Sequence, residues 1–271
     1  MLIGPHRFFA LLVLSIVLSV PNISFGKSGS ILLKDNFSGP SVDARLWHIP
    51  TWESPSDGTF IGRTQLAVTQ NSALPAIVAG NVLIPIQTHN PRGESAFYGT
   101  ELISNRNFPL GQGLDIKVRA KISTTNHPGL VAGIFLYTLK PGSNTLHDEI
   151  DFEFLTNRPD QVQTNIYGNE PLGLGHAEFR PFATGLMSDY HTYEIIWTAA
   201  KVSWLIDGKV VRSTTENIPT GAMQFYLNNW APDHYWPQAY NPEIQPAKEA
   251  AANVVLDALT VDSVTIRAVA P

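Results

Sequence analysis

Short apolar and aromatic runs alternate with turn residues along the chain from residue 27 onward. In residues 113–122 aliphatic side chains alternate with Asp, Lys and Arg, which is typical of an antiparallel strand with one buried face. Asp207 and Gly208 separate two further runs and predict a two-residue hairpin, because both tolerate the positive φ of a type I′ turn. Helical spacing is confined to residues 246–255. The pattern predicts one all-β domain over residues 27–271, built as an antiparallel sandwich.

The first 26 residues follow a different pattern. His6 and Arg7 precede an apolar run over residues 8–20, which suits the central region of a signal peptide and is too short to cross a bilayer comfortably. The small residues Ser24 and Gly26 predict cleavage after Gly26, and an uncleaved membrane anchor is the alternative. We expect residues 1–26 to be a signal peptide. The mature protein should then be a secreted or periplasmic monomer that does not contact a membrane.

Composition narrows the function classes. Charged residues make up 15% of the 271 residues, well below the roughly 25% of typical soluble domains. The formal net charge of −5 argues against a nucleic-acid binder, which normally carries a basic excess. The chain has no cysteine, so disulfide scaffolds, thiolate zinc sites and cysteine nucleophiles are all excluded.

Acidic residues are concentrated in one predicted strand. Residues 148–153 contain four of the 23 acids, with no Lys or Arg between them. On a strand, Glu149, Asp151 and Glu153 project from one face about 6.6 Å apart, and the apolar residues between them project from the other. Two alternatives are a solvated acidic face and a calcium site, although a straight strand does not wrap an ion as a loop does. We favour a catalytic role.

Hydrolysis of a glycosidic bond suits such a face, because it requires one ionised and one protonated carboxyl group. Mutual repulsion raises the pKa of at least one carboxyl in the row, which supplies the proton donor. The outer pair, Glu149 and Glu153, would do the chemistry, with Asp151 between them. Their Cα atoms are about 13 Å apart on a strand, whereas retaining enzymes need carboxyl groups about 5–5.5 Å apart. The spacing alone leaves retaining and inverting mechanisms open.

The acidic strand resembles the signature of glycoside hydrolase family sixteen, which contains lichenases and xyloglucan endotransglycosylases. Residues 149–153 read E-I-D-F-E and match the family pattern E-I-D-x-E without a bulge. Further matching segments run in the family's order from about residue 31 to residue 267. The resemblance implies a jelly roll of two stacked antiparallel sheets with a concave substrate cleft. It also implies a retaining mechanism, with Glu149 as nucleophile, Glu153 as acid/base and Asp151 as the assisting carboxyl.

Substrate-binding residues follow partly from the resemblance and partly from side-chain chemistry. Glu101 in YGTELIS and Asn165 in QTN match the family's substrate-binding strands. Trp230 and Trp236 lie in a polar, proline-rich stretch where an indole suits the apolar face of a sugar. The complete set of expected substrate-binding residues is Tyr98, Glu101, His147, Asn165, Trp230 and Trp236. No cofactor is expected, and Asp262 matches a family acid that can accompany a structural calcium.

The expected partner is a polysaccharide. Hydrolysis of mixed-linkage β-1,3-1,4-glucan is favoured. His147 resembles the xyloglucan-active branch, so a xyloglucan endotransglycosylase/hydrolase is the alternative, although the cysteine-containing C-terminal extension of the plant enzymes is lacking. A non-catalytic glycan-binding sandwich is the alternative from a different class.

Overall fold

The computed structural model describes residues 28–50, 60–66, 75–93, 95–123 and 127–269. The predicted signal peptide at residues 1–26 lies outside the described residues. Within the described ranges, no helix is long and apolar enough to cross a membrane.

Strands dominate these ranges, and the helical spacing at residues 246–255 yields one 3-10 turn, Ala250–Ala252. The strands are β1 (Ser28–Asp35), β2 (Trp47–His48), β3 (Phe60–Ile61), β4 (Thr64–Leu66), β5 (Ala76–Val78), β6 (Asn81–Gln87), β7 (Phe97–Ser104), β8 (Leu114–Ile122), β9 (Val131–Leu139), β10 (Leu146–Leu155), β11 (Gln161–Pro171), β12 (Glu178–Pro181), β13 (His191–Trp197), β14 (Val202–Ile206), β15 (Lys209–Thr214), β16 (Gln224–Trp230) and β17 (Val255–Val269).

The ladder pairings form two layers. The front sheet has the order β2-β7-β16-β9-β10-β11-β12. In the back sheet, one side of β17 pairs with β8, and the sheet extends from β8 through β13 and β14 to β15. The other side of β17 pairs with β1 and β6. The pairings named here are antiparallel; β4 and β7 pair in parallel beside the front sheet. The predicted antiparallel sandwich is confirmed.

Local sequence signals account for individual elements. Asp207 and Gly208 adopt φ of 51° and 76°, so the predicted type I′ hairpin joins β14 to β15. Buried and partly exposed residues alternate along β8, as its charge pattern predicts.

The core between the sheets fixes which face of β10 points outward. Phe152 and Phe154 pack edge-on against Tyr193 of the back sheet, at ring distances of 5.4 and 4.8 Å. Trp197 and Trp204 are fully buried. The Trp204 indole donates a hydrogen bond of 2.9 Å to the Asp151 carbonyl, which ties the middle of β10 to the back sheet. Glu149, Asp151 and Glu153 of β10 therefore lie on the outer face of the front sheet.

Candidate active site

The register of the front sheet places three rows of side chains on its outer face. Across β9, β10 and β11 the rows are Tyr137–Glu149–Tyr167, Phe135–Asp151–Asn165 and Gly133–Glu153–Gln163. The third row continues through Asn228 of β16 to Glu101 of β7. The structure thus brings the three predicted catalytic carboxyls together with Glu101 and Asn165 on one face.

This face is recessed. Asp151 is 1% exposed and Asn228 is 3% exposed, although both lie on the outside of a sheet. Polar side chains on the outside of a sheet are normally exposed to water, so larger neighbouring side chains must cover these two. Burial removes water from the carboxyls and strengthens the electrostatic interactions among them.

The position of Asp151 favours its protonated form. Burial raises its pKa well above the usual range, the charges of Glu153 and Glu149 add to this effect, and the Arg212 cation opposes it. Neither carboxyl oxygen of Asp151 has a hydrogen-bond partner among the described residues. A protonated Asp151 therefore separates the two glutamates without adding a third negative charge.

Glu149 and Glu153 differ in their immediate neighbours. Burial raises the pKa of Glu149, but His147, whose Nε2 lies 3.2 Å from Glu149 Oε2, opposes that rise. Burial and the charge of Glu149 raise the pKa of Glu153 to about 8. The contact with His147 favours the charged form of Glu149 relative to Glu153, and one ionised with one protonated carboxyl is the pair that glycoside hydrolysis requires.

A second polar pair lies in the same row as Glu153. Asn228 Nδ2 donates a hydrogen bond of 3.0 Å to Glu101, and burial raises the pKa of Glu101 to about 7 despite this bond. Asn228 Oδ1 is buried and has no hydrogen-bond partner in the described part of the chain. Gly133 separates this pair from Glu153, and a Cβ at Gly133 would lie 2.6 Å from Asn228 Oδ1. Because Gly133 has no side chain, the Asn228 amide stays accessible from the side of Glu153.

Aromatic residues flank the row of carboxyls on both sides. Near Glu149, Tyr226 stacks on Phe135 at 5.0 Å and meets Tyr137 edge-on at 5.9 Å. At the other end of the face, Trp230 and Trp236 are half-buried, with ring centroids 5.7 Å apart. Trp230 and Asn228 are two residues apart on β16 and therefore share its outer face. These rings offer apolar surfaces suited to sugar faces.

The sequence and the fold were compared with known proteins. A family model described as Glycosyl hydrolases family 16 matches residues 63–247, more than half of the chain. The chain belongs to glycosyl hydrolase family 16. The beta-glucanases of Bacillus amyloliquefaciens and Bacillus subtilis (strain 168) are each 35% identical over 111 residues, which is 41% of this chain. The matched region spans 45% and 44% of those relatives, which is less than half of their length.

Solved structures of family 16 proteins share the fold. A lichenase from a mouse hindgut metagenome is 24% identical with a TM-score of 0.67, covering 86% of this chain and 97% of the other. The endo-β-1,3-glucanase of Pyrococcus furiosus is 17% identical with a TM-score of 0.69, covering 89% and 95%. The predicted jelly-roll sandwich is confirmed.

Two expected substrate-binding residues of this family 16 protein are buried, for different reasons. Tyr98 is 1% exposed and lies three positions before Glu101 on β7, so it projects from the opposite face. His147 is fully buried beside the rings of Tyr137 and Tyr167. Neither side chain is exposed to solvent. Strand alternation accounts for Tyr98 alone, because His147 is two residues from Glu149 and shares its face, where the neighbouring rings cover it.

The fourth acid of the cluster anchors the fold. Asp148 is fully buried on the inner side of β10 and pairs with Lys140. It also accepts hydrogen bonds from the backbone N–H groups of Asn169, Thr220 and Gly221, at 2.8, 3.2 and 2.7 Å. Asp148 therefore joins β9, β11 and the segment before β16 to the start of the acidic strand.

The surroundings of Asp262 do not fit a calcium site. Its carboxylate lies 3.9 Å from the guanidinium of Arg119 and is 42% exposed. Over the described ranges, no three His, Asp or Glu side chains are grouped as metal ligands would be. A neighbouring guanidinium repels a divalent cation, so these surroundings give no support to calcium at Asp262.

Proposed function

We propose that this protein is a retaining, endo-acting glycoside hydrolase that cleaves β-glucan, with mixed-linkage β-1,3-1,4-glucan as its favoured substrate. The observation that carries the proposal is the placement of Glu149 and Glu153 in the first and third rows of one buried outer face, with His147 3.2 Å from Glu149 and, among the described residues, no such contact at Glu153. The family membership and the beta-glucanases among the curated relatives support the same reaction.

In the proposed first step, the ionised Glu149 carboxylate attacks the anomeric carbon and forms a glycosyl ester. Glu153 donates its proton to the glycosidic oxygen, so the leaving sugar departs as a neutral alcohol. In the second step, the Glu153 carboxylate removes a proton from water, and the resulting hydroxyl attacks the same carbon. Glu149 leaves as a carboxylate, Glu153 is protonated again, and the configuration is retained.

Binding of the polymer is assigned to the polar and aromatic groups around the carboxyls. Glu101, Asn165 and Asn228 offer hydrogen-bonding groups at the floor of the recess. Trp230 and Trp236 offer stacking surfaces at one end. We also propose that residues 1–26 direct export and are then removed, leaving a secreted or periplasmic monomer. N-terminal sequencing of the exported protein and its mass in solution test these two points.

The function is tested with a panel of polymers: barley mixed-linkage glucan, laminarin and xyloglucan. We expect reducing ends to appear fastest from mixed-linkage glucan, with internal cleavage seen as a rapid fall in viscosity. Glu149→Gln is the control for contaminating enzymes. Binding without any product from the three polymers would support a glycan-binding sandwich instead. Transfer of a labelled xyloglucan oligosaccharide into polymer would support the endotransglycosylase.

A further inference from the structure

The hydrogen-bond geometry of His147 determines where its ring protons lie. Its Nδ1 is 3.1 Å from the carbonyl oxygen of Thr145. A carbonyl oxygen only accepts, so Nδ1 carries a hydrogen and donates it. The other ring nitrogen, Nε2, lies 3.2 Å from Glu149 Oε2, a close electrostatic contact whose angles do not meet hydrogen-bond geometry, and Nε2 has no other partner among the described residues.

This close approach favours a second proton between the two side chains. With Nδ1 protonated, a neutral imidazole would direct the lone pair of Nε2 at a carboxylate oxygen, and the two would repel each other. The contact is attractive only when a proton lies on Nε2 or on Glu149. Because His147 is fully buried, no water competes for this proton.

We propose that His147 is a positioning residue for Glu149: its buried imidazolium orients the carboxylate and keeps it ionised among neighbouring acids. This inference rests on the proposed function, but the protonation state of His147 and Glu149 can be measured without enzymatic activity. The proton stays on His147 through both chemical steps. When Glu149 becomes a neutral ester, the imidazolium loses its anion, which favours departure of the Glu149 carboxylate in the second step.

The other groups that face Glu149 do not supply this charge. On its own strand the neighbours are Asp151 and Glu153, which are acids. Tyr137 of β9 and Tyr167 of β11 flank it, and burial raises the pKa of each to about 12, so both remain neutral. Tyr226 of β16 also has a pKa raised by burial, and Glu101 of β7 is an acid.

His147 is therefore the positively charged member of the set around Glu149. Burial opposes a charge on the imidazole, but the contact with Glu149 outweighs it and the pKa of His147 is raised. Asp148, the adjacent acid on β10, adds to that rise.

The first test is a 15N NMR titration of the histidine ring nitrogens in the exported protein. The His147 signals are identified by their loss in His147→Gln. We expect both ring nitrogens of His147 to be protonated at pH 7. In Glu149→Gln the imidazole should become neutral at that pH. A neutral His147 in the unmodified protein at pH 6 would overturn the proposal. This readout holds even if no β-glucan proves to be a substrate.

The second test separates positioning from structural support. In His147→Gln the acid limb of the kcat/KM profile on mixed-linkage glucan should move up by about one pH unit, because Glu149 loses its cation. KM should change little, since His147 does not reach the polymer. The matched control is His176→Gln: His176 is 41% exposed and lies 3.0 Å from Glu170, and its loss should leave the profile unchanged. A His147→Gln profile that superimposes on the parent profile would contradict the proposal.

Discussion

The two ends of the acidic row use the same residue type in different surroundings. Glu149 contacts His147 of its own strand β10. Three tyrosines surround it, one each from β9, β11 and β16. Glu153 lies between Gly133 of β9 and Gln163 of β11, which are both uncharged. The Trp230–Trp236 pair lies at this end of the face. The contact with His147 favours the charged form of Glu149, whereas burial without such a contact raises the pKa of Glu153 to about 8. The division of labour between two identical side chains is thus set by their neighbours.

The largest expected effects come from removing each glutamate and comparing the products. Glu149→Gly should lose on the order of 10⁴-fold or more in turnover on glucan, because no nucleophile remains. With an activated aryl β-glycoside and azide, this variant should form a glycosyl azide of inverted configuration. Glu153→Ala, under the same conditions, should form the retained azide by way of the glycosyl-enzyme. NMR of the two azides checks the assignment, and the opposite pattern would exchange the two roles.

A smaller effect concerns the alkaline side of the activity profile. The raised pKa of Glu153, about 8, means that its proton is present at neutral pH and lost above it. The kcat/KM of the parent protein on glucan should therefore fall as the pH rises through about 8. In Glu153→Ala, activity on an aryl glycoside with a good leaving group should show no such fall, while the acid limb stays in place. A persisting alkaline limb would place the acid elsewhere.

The sequence was sufficient for the elements whose two faces differ in polarity. The acids of β10 alternate with Ile and Phe, so its outward face follows directly from the pattern. The same rule fails for β9, where both faces are apolar: Ile134 is core, whereas Phe135 lies on the outer face. Periodicity cannot distinguish these two positions.

Contacts between residues that are distant along the chain could not be predicted from the sequence, for a different reason. The contact between Glu101 and Asn228 depends on β16 lying beside β7, and the resemblance pointed to Glu101 alone. His147 was expected at the substrate surface, but burial is set by Tyr137 and Tyr167 from neighbouring strands. Local patterns predict the direction of a side chain, and only the assembled sheet shows what covers it.

The two ends also differ in what anchors them. At the Glu149 end, Asp148 is buried with Lys140 and three backbone N–H groups. Asp148→Asn keeps one acceptor but turns an amide donor toward these donors, so the free energy of unfolding should fall by about 3 kcal/mol. Urea unfolding measures the change. Asp43→Asn, which removes the exposed pair with Arg45, is the control and should have no measurable effect. An equal loss in both variants would refute the anchoring role.

At the Trp236 end, the anchor is a guanidinium that holds a loop. Arg63 donates to the carbonyl oxygens of Pro232, Ile244 and Asn241, at 2.9, 2.9 and 3.1 Å, and stacks over Tyr240 at 4.8 Å. These contacts fix residues 232–244, which include Trp236. A lysine carries the charge but not the planar fork of donors, so Arg63→Lys should loosen the loop without touching the carboxyls.

The expected effect of Arg63→Lys is the smallest of the four, and it should appear in binding. KM for polymeric glucan should rise roughly 3- to 10-fold, about 1 kcal/mol, because the stacking surface of Trp236 is less well held. The kcat on a short aryl glycoside should stay near the parent value, since Glu149 and Glu153 are positioned by the sheet. Arg106→Lys is the matched control, because Arg106 donates to the carbonyl of Leu32 and lies over Phe108 away from the acidic row. A fall in kcat with unchanged KM would mean that the loop governs the chemistry itself, and the contrast between a strand-built and a loop-built end would then fail.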